Sequence, residues 1–350
     1  MTENQPINIA SYYLVSPFNE YQISRCCDYD NTNNIYSFKI YQTCDTIDEI
    51  YAIINTNYFS EYMTDNFDLI CYIELVKKES NGSINVVDKL NADTLRMLCK
   101  LNHKKIYHNY IKSVDNKCII PLLFFFFQNK TAPLHVISYP YDNFYVNIKL
   151  SNCINICRFK YYHSLFQHNN MLSTIPNEIL VHIISFIPTK NDVVLQSKCL
   201  FHPMDVTDQL RQGFEKQIIS QYTSINVNCN HSNNIKIDLS NYHDIYKIII
   251  IIRGEIYKYE YLEEVLLKTN ELLIKKTTPI INILENPTID ESENMYVLDL
   301  FKPIQLKRFK DPSIDIKFKI NVKCDVSIYF CHVNTLTTSG GVLCLDQKIV

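Results

Sequence analysis

The 350-residue sequence predicts a mainly β protein, with two β-rich regions and a short helical one between them. Three observations carry that reading. The chain holds 48 Ile, 36 Asn and 25 Tyr against 4 Ala, 5 Gly and no Trp. Ile, Tyr, Phe and Val suit the half-buried pleated surface of a sheet, whereas Ala, the best intrinsic helix former, is nearly absent. The apolar runs are also short and bounded by clusters of Asn, Asp and Ser. The excess of Ile, Asn, Lys, Tyr and Phe fits an A/T-rich coding sequence as well, and both causes stand.

Residues 9–150 alternate short β-like runs with polar turns, at 35–41, 50–54, 69–76, 119–127 and 144–150. Short strands at close spacing are the signature of a sandwich or jelly roll. Residues 91–101 interrupt them. There Leu95, Leu98, Cys99 and Leu101 fall at near-helical spacing behind Asn91 and Asp93 as caps, predicting a helical excursion in a long loop.

Over 171–217 the period becomes helical. One stripe runs Ile175, Ile179, Ile183, Ile187, and a second runs Leu180, Ile184. Pro176 sits where a first-turn proline is tolerated, Glu178 favours the positive end of the dipole, and Pro188 stops the helix. Thr189 and Asn191 then offer caps for a second helix through Val193, Val194 and Leu195.

The β pattern returns from about 224, at 235–239, 245–252, 280–284, 295–300, 314–322 and 326–333. Five consecutive isoleucines, 248–252, are too apolar for a strand with one wet face, so this strand should be central. Residues 261–275 fit helix and strand equally. The expected division is a β domain over 1–165, a helical module over 171–217 and a second β domain over 222–350.

Several function classes fall away. Dinucleotide, P-loop and nucleophile-elbow motifs need closely spaced glycines, and Gly82, Gly213, Gly254, Gly340 and Gly341 build none of them. Net charge is -3, with Lys and Arg scattered along the sequence, so no nucleic-acid or anionic-membrane footprint stands out. Thirteen cysteines without CxxC spacing read as mostly buried free thiols in a reducing compartment. The ten histidines lack metal-site spacing, so neither metal nor cofactor is expected. Paired carboxylates such as Glu263 and Glu264 read as solvated faces, and no catalytic constellation emerges. The start lacks a basic, apolar leader, and no apolar run approaches the roughly 20 residues of a spanning helix. A soluble intracellular non-enzyme is the expectation.

Two resemblances add to this. Ile175, Pro176, Glu178, Ile179, Leu180, Ile183, Ile184, Phe186, Ile187, Pro188, then Asp192 and Leu195, resemble the F-box consensus over about 172–217. That resemblance implies binding to the Skp-type linker of a cullin-RING ubiquitin ligase, with the rest of the chain selecting an unknown target in the host cytoplasm. An ordinary amphipathic helix pair packed on the β domains would show the same stripes. The mid-chain position and the weakly apolar 204–217 depart from the family.

The second resemblance is longer. Pro121, Leu122, Phe124, Phe126, Asn129, Ala132, Pro133, Leu134 and Tyr139, with residues 38–50, 205–221 and 338–346, resemble the major capsid proteins of large nucleocytoplasmic DNA viruses. It implies a double jelly roll, two eight-stranded sandwiches flanking the F-box-like helical insert. The F-box adaptor is the first functional expectation. The alternative is a divergent capsid protein or capsid paralogue, forming a homotrimer and located in the virion.

Overall fold

The computed structural model describes residues 18–30, 32–55, 65–79, 82–102, 117–128, 133–151, 176, 179, 193–212, 216–242, 244–254, 261–270, 272–279, 281–282, 294–339 and 342–345. These form two units: unit 1 comprises 1–217 and 336–344, and unit 2 comprises 218–335 and 345–350.

Unit 1 contains β1 (Phe18–Arg25), β2 (Asp28–Asp30), β3 (Ile35–Ile40), β4 (Thr46–Asn55), β5 (Ile70–Lys78), β6 (Ile84–Asn91), β7 (Lys117–Pro121), β8 (Asn143–Leu150) and β9 (Val193–Phe201). Two sheets result, in the orders β1-β9-β4-β7 and β2-β3-β8-β5-β6. Setting aside the short β2, which adds to the edge as an antiparallel hairpin with β3, eight strands remain, and they pair from the outside in. First pairs with last (β1·β9), second with seventh (β3·β8), third with sixth (β4·β7) and fourth with fifth (β5·β6). This is one long antiparallel ribbon. The cross-pairings β4·β9 and β5·β8 roll it into two facing sheets, which is a jelly roll.

Burial along these strands alternates as a two-faced sheet requires. Phe38, Ile50, Ala52, Ile54, Val146 and Ile148 face inward, and each contributes on the order of 1.5–3 kcal/mol apart from the smaller Ala52. The expected helix is α1 (Ala92–Asn102), with Asn91 Oδ1 accepting from Thr94 N at 2.8 Å as its cap.

The Phe run departs from the strand expected over 119–127. After β7 ends at Pro121 the chain turns into α2 (Phe125–Gln128), whose first amide donates to Asp88 Oδ2 at 3.0 Å. Four consecutive phenylalanines, Phe124–Phe127, are all buried. A helical turn points consecutive side chains all round its axis, so burial of all four rings means that this turn is covered on every side.

Unit 2 repeats the ribbon with fewer strands, two of them much longer: β10 (Lys216–Asp238), β11 (Ile245–Gly254), β12 (Leu262–Lys268), β13 (Leu273–Thr277), β14 (Met295–Ile304) and β15 (Ser313–Ser339). The inner rungs are β11·β14 and β12·β13. The outer rungs are one pairing, β10 with β15. Cross-strand bonds run antiparallel along it, from Asn334–Gln221 and Thr223–His332 through Asn228–Asp325 to Leu239 N donating to Pro312 O. Residues 324–332 of β15 pair with β11, and 313–318 pair with β12. Each long strand therefore serves as two consecutive strands of a jelly roll. β10 kinks at His231, φ 54, where it passes between them.

The isoleucine run lies in β11, central between β15 and β14, with Ile248, Ile249 and Ile250 buried on both faces as expected. Residues 261–275 resolve into β12 and β13. Residues 281–282, expected in a strand over 280–284, are helical, with Asn282 N donating to Thr278 O at 2.9 Å. The last strand, β16 (Val342–Leu345), pairs with β15.

Candidate functional site

Segment 151–192 joins β8 to β9, two strands of the same jelly roll. Most of the expected F-box residues fall in this connection. Pro176 is exposed and Ile179 is helical, 51% exposed, with its amide donating to Pro176 O at 3.0 Å. Ile175, Glu178, Leu180, Ile183, Ile184, Phe186, Ile187 and Pro188 lie outside the described residues.

The expected second helix is corrected. Val193, Val194 and Leu195 open β9, where Leu195 pairs with Ala52 on one side and Ser24 on the other and is fully buried. The physical reason is periodicity. Val193, Leu195, Ser197 and Cys199 point inward, and Val194, Gln196 and Lys198 alternate with them, Lys198 reaching Glu49 at 3.3 Å. Leu195 thus serves a sheet core and presents nothing to a partner. Helix α3 (Met204–Arg211) follows β9 and buries Val206, Thr207 and Leu210.

The polar side chains of unit 1 act as fasteners. Asp45, just before β4, accepts from His202 N at 2.8 Å and from Thr207 Oγ1 at 3.0 Å, tying the end of β9 to the first turn of α3. Arg96 of α1 reaches Asp65, Asp68 and Asp93, each at 2.6 Å. The buried pair Lys77 and Asp142, 3.5 Å apart, brackets one residue of β16: Lys77 Nζ donates to Leu343 O and Asp142 Oδ2 accepts from Leu343 N, both at 2.7 Å. Each group is engaged by backbone or by an opposite charge, which suits positioning of chain segments rather than proton transfer.

Titration behaviour points the same way. Burial pushes Asp88 up to about 7, against the lowering bonds from the Phe125 and Lys89 amides. Burial lowers His135 to about 3, with His202 nearby adding to the effect, and lowers His202 itself. Thiols are mostly suppressed as nucleophiles: burial raises Cys99 and Cys324 to about 12 and Cys331 to about 11. Cys44 is raised by its hydrogen bond to Cys199, which lowers Cys199 in turn. Among the described residues no group of three His, Cys, Asp or Glu side chains could hold a metal ion.

No protein-family model and no curated protein matches the chain. Solved structures do. PBCV-1 VP54, fitted into a reconstruction of the virophage Sputnik, matches with TM-score 0.68 at 12% identity, over 95% of this chain and 97% of that one. The Faustovirus major capsid protein matches with TM-score 0.63 at 9% identity, over 93% and 91%. The fold is the double jelly roll of viral capsid proteins. That finding overturns the F-box adaptor as the primary reading: the likeness to capsid proteins spans both units, nothing supports a ubiquitin-ligase link, and the expected helical insert is not shown. The likeness is one of fold, and it agrees better with the second expectation, a capsid-like chain, than with the adaptor.

Sequence reasoning missed Asp45, His202, Lys77 and Asp142 as fasteners. Their partners lie up to hundreds of positions away, as with Lys77 and Leu343. The one local signal was the strict alternation of 193–199, which the preceding helical stripe obscured.

Proposed function

We propose that the chain is a structural subunit of a virus particle, a capsid protein or capsid paralogue that acts through its sandwich surfaces and not through catalysis. The observation that carries this is the repetition of one eight-strand ribbon twice in a single chain, at near-complete mutual coverage with PBCV-1 VP54. Proteins so similar in architecture build shells, and the reading extends that role to this chain as a homotrimer in the virion.

The surface of unit 1 supports contacts with other copies. Its edge strands carry exposed apolar residues: Tyr21 and Ile23 on β1, Ile84 and Val86 on β6, and Ile119 on β7. Exposed apolar residues on edge strands are a liability for a protein that works alone, and closed symmetric assembly covers such edges. The deciding experiment is quantitative mass spectrometry of purified particles from infected cells. A structural subunit is among the abundant chains, and its absence from particles overturns the proposal.

A further inference from the structure

At one end of unit 2 two loops are joined, and together they present leucines among cations. The first is the hairpin between β12 and β13. Thr269 N donates to Leu272 O at 2.8 Å, and Thr269 Oγ1 accepts from Leu272 N at 3.0 Å, which ties Leu272 to the end of β12. It exposes two consecutive leucines, Leu272 at 61% and Leu273 at 58%.

The second loop connects β14 to β15. Leu306 is buried as an anchor, and a tight turn, with Arg308 N donating to Gln305 O and Phe309 N to Leu306 O, exposes Lys307, Arg308, Phe309 and Lys310. Asn270 fastens the loops together, its amide donating to Lys310 O at 3.4 Å and its side chain to Asp311. Lys268 and Lys276 behind the tip are paired with Asp315 and Glu264, whereas Lys307, Arg308 and Lys310 form no ion pair with a described residue.

We propose that this end of unit 2 is a docking surface for an anionic lipid bilayer, with Leu272 and Leu273 entering the headgroup boundary and Lys307, Arg308 and Lys310 meeting lipid phosphates and carboxylates. The chain as a whole carries a net charge of -3, so general attraction to an anionic surface is absent and this local cluster must supply it. Cations rimming exposed aliphatic side chains match a membrane interface, where apolar area and charge add. A single-stranded nucleic acid would call for aromatic platforms on which bases stack, and the patch offers one ring, Phe309, beside two leucines with no stacking face. Asn270 joins the two loops, which brings the segment of the leucines next to that of the cations. The capsid reading is not needed for this inference.

The test is co-sedimentation of the purified full chain with vesicles. It binds phosphatidylserine–phosphatidylcholine vesicles, does not bind pure phosphatidylcholine vesicles, and releases as salt is raised. Changing Lys307, Arg308 and Lys310 together to Gln lowers partitioning by about 100-fold, at about fivefold per cation. Leu272→Ser with Leu273→Ser lowers it by about tenfold or more. These side chains are exposed, so an unchanged melting temperature certifies the fold of both variants. No binding, equal binding to both vesicle types, binding unmoved by the variants, or retention on DNA in place of vesicles each overturns the proposal.

Discussion

In unit 1 the outer rungs of the ribbon are cut twice: β1 stops at Arg25 before Cys26 and Cys27, and segment 151–192 separates β8 from β9. In unit 2 the same places are crossed without interruption, by β10 over 23 residues and β15 over 27. An uninterrupted strand must give up regular burial where it changes sheets. Between Gln221 and Ile235 of β10 only Cys229 is buried. An interrupted strand keeps its alternation on both sides and leaves a gap in the chain where an insertion is cheap, because closure entropy grows only slowly with loop length. One topology thus carries a long connection in one copy and a continuous strand in the other, and the F-box-like stretch lies mostly in that connection.

The largest expected effect separates two residues of that stretch. Leu195→Asp puts an unpaired charge into the core of unit 1 and should abolish its cooperative unfolding, and the milder Leu195→Ala should cost about 2–5 kcal/mol. Ile179→Ala, at an exposed position, should stay within about 0.5 kcal/mol. Denaturant titration reads both. Equal sensitivity at the two positions would break the assignment of Leu195 to the sheet.

Next in size is Lys77→Met, which leaves Asp142 buried without its cation. Loss of one partner of a buried pair costs about 3–5 kcal/mol, and the loss should appear in the unit 1 transition alone. The matching change in unit 2, Lys317→Met, touches a partly exposed pair with Glu264, which keeps Lys276 as a second cation, and should cost about 1 kcal/mol or less by the same titration.

Unit 1 also holds two buried groups with opposed pH responses. Asp88, at about 7 when folded against 3.8 unfolded, binds its proton more tightly in the folded state, so its contribution is lost as pH rises from about 4 to 7. His135, at about 3 when folded against 6.5 unfolded, does the reverse, and stability falls as pH drops from about 6.5 towards 3. Asp88→Asn should therefore steepen acid destabilisation of unit 1, and His135→Gln should make it more stable on mild acidification. Thermal melts between pH 4 and 7 decide the signs, and parallel pH profiles for the two variants would contradict them.

The smallest effect concerns α1. Arg96→Gln removes three partly exposed ion pairs and should cost about 1 kcal/mol, seen as a shift of a few degrees in the melting of unit 1.

Parts of this fold were legible in the sequence for stated physical reasons. The isoleucine run could only be a strand covered on both faces, and it became β11. Asn91 announced α1 because its side chain competes for an orphan amide. Strand β9 was not legible, because Val193, Val194 and Leu195 are adjacent and fit either period, and the helical stripe ahead of them tilted the reading. The turn at Phe125–Gln128 depends on Asp88, 37 positions earlier, which no local pattern reveals. The fasteners around Asp45 and Asp142 were hidden for the same reason.

The reading of the chain as an assembling shell subunit is tested most directly by its mass in solution, measured by light scattering on the purified full-length protein. A mass of three copies, about three times 41.2 kDa, is the expected result. A strictly monomeric protein at every concentration would contradict it.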